Sequence, residues 1–154
     1  KKALSIMSDL ATDNLNMKFT TLSGLVVHAL KDVSFNLKKG ELLSVLGPSG
    51  CGKTTLLNIV AGFLNPTSGT VKLGDTEIRG PGVDRGMVFQ QGALFEWLTV
   101  AQNVDFGLRM KGADPIETAK KVDEWLEIVG LAGFGDTPTY QPSGGMPQRT
   151  ALAR

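Results

Sequence analysis

Gly47-Pro48-Ser49-Gly50-Cys51-Gly52-Lys53-Thr54 is the stretch that decides the fold. It obeys the spacing GxxxxGK[ST]. Small residues let the backbone wrap closely around phosphate oxygens and turn successive N–H groups inward, where side chains would block the approach. Lys53 adds a point charge for the β- and γ-phosphates, and the Thr54 hydroxyl suits Mg²⁺. Just upstream, Leu42-Leu43-Ser44-Val45-Leu46 is almost continuously apolar, the pattern of a strand buried on both faces of a parallel sheet. Just downstream, Leu56, Leu57, Ile59, Val60 and Phe63 recur with helical spacing until Gly62 and Pro66 stop the helix. Buried strand, glycine loop and helix together predict an α/β phosphate-binding unit, with the positive end of the helix dipole facing the same phosphates.

Further upstream, Leu15, Met17 and Phe19 alternate with polar residues and predict a half-buried strand, and a second β-rich segment runs over 25–37. Residues 1–14 read equally as an edge strand or a tail. Downstream, 71–79 reads as a hairpin around Gly74-Asp75, and Met87-Val88-Phe89 as a short buried strand, the one plausible parallel neighbour for 42–46 after it. Thr99 is placed to cap a helix bearing Val100, Val104 and Leu108. Asp114-Pro115-Ile116-Glu117 opens another, with a capping Asp, Pro in the first turn and Glu at the capping-box position. Its expected apolar face is Ile116, Ala119, Val122, Leu126 and Val129, with Gly130 as the stop. A last helix begins near Ser143-Gly144-Gly145.

Composition bounds what such a unit can do. With 154 residues, 42% of them apolar, the chain is long enough for a packed core and is neither disordered nor fibrous. Sixteen basic against 15 acidic residues leave a net charge of +1, which gives no broad footprint for nucleic acid. One cysteine cannot form an internal disulfide, and no signal sequence opens the chain, so a reducing, cytosolic setting is expected. No apolar run approaches the roughly 20 residues a membrane span requires. Glycine is the outlier, with 19 residues where average usage gives about 11.

The second glycine cluster narrows the class. Ser143-Gly144-Gly145-Met146, followed by Gln148-Arg149 and Ala151-Leu152-Ala153-Arg154, resembles the signature motif of the ATP-binding cassette (ABC) ATPases. As chemistry it is a second anion site, a hydroxyl and free N–H groups at a helix start. Val88-Phe89-Gln90 resembles the family's Q-loop, with Gln91 adjoining as an off-by-one alternative. Ala29-Leu30-Lys31-Asp32-Val33-Ser34-Phe35 resembles its second strand. Gly80-Pro81-Gly82-Val83-Asp84-Arg85-Gly86 and Trp97-Leu98-Thr99-Val100 with Asn103-Val104 resemble the importer ATPases for nitrate, sulfonate and taurine.

The resemblance implies an α/β P-loop NTPase core with an antiparallel β portion and a helical insert. It is one partial nucleotide-binding domain over 1–154, with the β portion and P-loop core at about 15–96 and the insert at about 97–154. It implies ATP and Mg²⁺, with nucleotide bound by Gly47, Pro48, Ser49, Gly50, Cys51, Gly52, Lys53, Thr54 and Thr55. Thr54 and Gln90 serve the metal, and Gln90 also positions the attacking water. Phe19, upstream of the loop where the family has an adenine-stacking aromatic, is either that platform or a core residue. Cys51, at a variable position of the loop, reads as a small filler. Two copies arranged head to tail are implied, each P-loop facing the other's Ser143, Gly144, Gly145 and Met146. The assembly would sit peripherally on the cytoplasmic face of the membrane against a permease, served indirectly by a periplasmic solute-binding protein, and without nucleic acid. The competing readings are a nucleotide-binding fragment without turnover and a soluble ABC ATPase of translation or DNA repair.

Departures from the family pattern also matter. Pro142 stands where the signature normally begins with Leu, and Pro147 where a polar residue is usual, although proline is tolerated in a first helical turn. The apolar strand ending in Asp-Glu, the D-loop and the switch histidine have no counterpart in the sequence. His28, the only histidine, reads as a surface strand residue. The general base is therefore expected outside these residues, and the chain to be C-terminally incomplete, roughly two thirds of a cassette.

Overall fold

A computed structural model describes residues 9–89, 94–140 and 144–154. They fall into two compact units, one up to Gly86 and one from Met87 onward.

The first unit is an antiparallel sheet carrying one helix. Strands β1 (Leu10–Thr20), β2 (Val26–Leu37), β3 (Ser68–Leu73) and β4 (Thr76–Glu77) pair in the order β2-β1-β3-β4. Both expected upstream strands are present, and β1 reaches further back than the alternation from Leu15 predicts. Its register slips between Thr12 and Leu15. Asn14 and Asp32 there hold positive φ angles of 46° and 49°. Asn16 ties the irregularity together by donating from Nδ2 to Asp32 Oδ1 at 3.1 Å and accepting from the Asp32 N–H at 3.1 Å. The slip changes which face is buried, so Thr12, Leu15 and Met17 all point inward.

Helix α1 (Lys53–Ala61) follows the glycine loop as expected. It buries Leu56 and Ile59 in a core with Leu15, Met17, Leu30, Val71 and Ile78. Gly62 ends it at φ 84°. A Cβ there would collide with the Gly80 carbonyl, so glycine lets the loop at Gly80 pass close behind the helix.

The expected strand at 42–46 does not form. These residues are irregular, and Leu42 and Leu46 are 92% and 91% exposed. Among the described residues no strand pairs with them, and a lone extended segment has no ladder to satisfy its backbone groups. Met87-Val88-Phe89, the expected parallel neighbour, is irregular too.

The second unit is helical. It comprises α2 (Val100–Met110), α3 (Pro115–Ile128) and α4 (Met146–Ala153) around Val100, Val104, Val122, Leu126 and Leu131. Thr99 caps α2 in a reciprocal box with Gln102. Asp114 caps α3, its Oδ1 accepting from the Ile116 and Glu117 amides at 2.9 and 3.0 Å. The buried face of α3 is Thr118, Val122 and Leu126, whereas Ile116 is 82% exposed and Ala119 is also exposed. Of the expected face Val122 and Leu126 are buried and Val129 is half-buried, while the buried stripe in the first turn runs through Thr118 instead of Ile116 and Ala119.

Candidate nucleotide-binding site

The glycine loop joins the exposed segment 42–46 to α1. Gly52, at φ 97°, is its tightest point. A Cβ there would run into the Ala29 carbonyl oxygen of β2 and lie 3.1 Å from Leu30 Cδ2, so the loop rests on the strand only because this residue is glycine. Helix α1 starts at the next residue with no side-chain cap and no acidic residue in its first turn. Its opening amides thus lack a side-chain acceptor, and the positive dipole end is unopposed.

Lys53 adds a full charge at the same place. Its Nζ donates to the carbonyls of Gly47 at 2.8 Å and Pro48 at 2.7 Å, and lies 3.6 Å from Cys51 Sγ. Among the described residues no ion pair involves it. An ammonium and a helix N-terminus converge here with no carboxylate side chain to neutralise them, an arrangement suited to an anionic group such as a phosphate. The Thr54 side of the turn is exposed and Thr55 is half-buried. Among the described residues no three His, Cys, Asp or Glu side chains are grouped to hold a metal. A Mg²⁺ here would lean on the phosphates plus one or two protein oxygens, the usual way this ion is held beside nucleotides, and Thr54 supplies such an oxygen.

The other expected site residues divide clearly. Phe19 lies near the end of β1 opposite Val27 and is 41% exposed, so it is not a core residue. His28 is exposed on β2, opposite Lys18, as read from the sequence. Gln90, with Gln91, and Ser143, with Pro142, lie outside the described residues. Gly144 and Gly145 are exposed. Gly145 is the left-handed N-cap of α4, which again has no side-chain cap and no acid in its first turn, and Pro147 fits that turn without breaking it. Thr150, fully buried, donates its hydroxyl to the Met146 carbonyl at 2.9 Å and pins the helix just behind the two glycines. Sequence reasoning passed over Thr150, although a threonine one turn after a helix start is the available signal.

Residues 30–154 match the family described as ABC transporter. The chain belongs to the ABC transporter family. It is 77% identical over 148 residues to a taurine import ATP-binding protein of Pelagibacter ubique, and 60% identical to one of Roseobacter denitrificans. It is 47% identical to an uncharacterized ABC transporter ATP-binding protein of Methanocaldococcus jannaschii. These alignments cover 96%, 96% and 100% of the chain but only 56%, 55% and 57% of the relatives, so the chain spans little more than half their length. Among solved structures, a dimeric ATP-binding cassette in a post-hydrolysis state bound to ADP and Pi matches with a TM-score of 0.83 at 32% identity. That match covers 94% of this chain and 67% of the other. The ABC cassette fold, an α/β P-loop ATPase with an antiparallel β portion, is the fold of this chain.

Proposed function

We propose that the chain binds MgATP through residues 47–55 and forms the nucleotide-binding part of the ATP-hydrolysing subunit of an importer. The carrying observation is the anion-deficient turn, where an uncapped α1 N-terminus and the Lys53 ammonium, held only by neutral groups, converge. In this reading Lys53 and the opening amides of α1 hold the phosphates, Thr54 offers its hydroxyl to Mg²⁺, and Phe19 offers its exposed ring to the base. Gln90 positions the attacking water.

The import role draws on the relatives named for taurine import. Taurine, or a similar small solute such as a sulfonate or nitrate, is the proposed cargo. The proposed assembly is a head-to-tail homodimer in which Ser143, Gly144, Gly145 and Met146 face the partner's nucleotide, docked on permease subunits at the cytoplasmic face of the membrane. A dimeric cassette among the similar structures supports the pairing. Those relatives count against a soluble role in translation or DNA repair.

Calorimetry tests the reading. Lys53→Ala should weaken MgATP binding at least tenfold, about 1.4 kcal/mol, and an unchanged affinity removes the phosphate assignment.

A further inference from the structure

Within the helical unit, two segments far apart in sequence are stitched together by buried polar side chains. The first is 94–99, the stretch that resumes after Gln90. The second is 135–139, which leads towards Ser143-Gly144-Gly145. Val100 N–H donates to the Thr137 carbonyl at 3.0 Å, Ala101 N–H to the Gly135 carbonyl at 2.9 Å, and Thr99 bridges Pro138. The Thr139 hydroxyl, in a residue only 8% exposed, lies 3.0 Å from the Phe95 carbonyl and 2.8 Å from that of Leu98. Asn103 holds the same turn from below. Fully buried, it accepts from the Phe95 N–H at 2.8 Å and donates to the Phe95 and Thr99 carbonyls at 3.1 and 3.0 Å.

Thr139 also reaches the signature helix. A crevice of about 10 Å³ is lined by Leu94, Val100, Thr139, Met146, Pro147 and Thr150, so the segment after Gln90 and the first turn of α4 meet around one hydroxyl-bearing residue. Two loops that must each be placed to within a fraction of an ångström thus share a polar clamp. Thr139→Val does not leave these carbonyls without a donor, because Asn103 Nδ2 also donates to those of Phe95 and Leu98 at 3.1 and 3.4 Å, so the desolvation penalty of an orphaned acceptor is avoided. The geometry points to Thr139 as a positioning residue, with Asn103 as its support, which fixes the segment following Gln90 against the helix that carries Gly144-Gly145 so that the two move as one body during ATP turnover. This rests on the nucleotide-hydrolysis reading above.

The test uses the full-length protein and three variants. Thr139→Val keeps the shape and removes the hydroxyl, Thr139→Ser keeps the hydroxyl, and Lys53→Ala reports on the phosphate loop. Thr139→Val should lower kcat for ATP hydrolysis about tenfold while MgATP affinity and melting temperature stay near those of the unsubstituted protein, and Thr139→Ser should restore kcat. An unchanged kcat in Thr139→Val, a Thr139→Ser protein as slow as Thr139→Val, or a kcat loss matched by loss of affinity and melting temperature each overturns the clamp. Loss of the function reading shows separately, as ATP binding by the full-length protein that is indifferent to Lys53→Ala, and the clamp falls with it.

Discussion

Lys53 and Gly52 are neighbours with opposite demands, one supplying charge and the other the absence of a side chain. Gly52 is hemmed in by the Ala29 carbonyl, whereas Gly50, at φ 81°, has open space where a Cβ would go. Gly50→Ala therefore meets only the backbone cost of a left-handed alanine, about 1 kcal/mol, while Gly52→Ala adds a collision with β2. Thermal unfolding should show the larger drop for Gly52→Ala, and equal drops would mean that the loop does not rest on the strand. Cys51 gives a reporter at the same turn. Its exposed thiol lies 3.6 Å from Lys53 Nζ, so a phosphate held by that ammonium would crowd it. Maleimide labelling, counted by intact mass at this single cysteine, should slow in saturating MgATP, and equal rates with and without nucleotide would refute that placement.

At the scale of elements, what a few neighbouring residues determine was legible. The Asp114 cap, the stop at Gly62 and the hairpin over β3 and β4 each follow from local turn and cap chemistry. Asp114→Ala removes the acceptor of two amides and should cost about 1 kcal/mol, read from the denaturation midpoint. A midpoint that does not move would show that α3 is held by packing alone. What depended on distant partners was not legible. Residues 42–46 carry the composition of a central strand, but composition cannot say whether a neighbouring strand is present. The face of α3 was legible at Val122 and Leu126 but not at Ile116, which has the right period and is left exposed. The glycine turn and the helix behind it were legible because their pattern lies in a few consecutive residues. The clamp at Thr139 was not, because its partners lie more than 40 positions away.

The whole molecule has apolar surface where a sheet would ordinarily hide it. Leu42, Leu43, Val45 and Leu46 are all exposed on one side of the phosphate loop. The 154-residue chain should consequently bind a hydrophobic dye such as ANS, and Leu42→Lys with Leu46→Lys should reduce that fluorescence without a loss of melting temperature. A chain that leaves the dye dark would show these residues covered in solution. Its ATP hydrolysis should be indistinguishable from buffer, because among its described residues no carboxylate stands at the end of an apolar strand to activate water. Turnover that scales with protein and vanishes in Lys53→Ala would overturn that expectation.

Residues 42–46 also set a problem of timing for any ribosome making a protein of the relatives' length. Translation adds about 5–20 residues each second, so this greasy stretch leaves the exit tunnel seconds before the last residues up to Arg154 have been added. During that interval the nascent protein is a natural client for a chaperone waiting at the tunnel mouth.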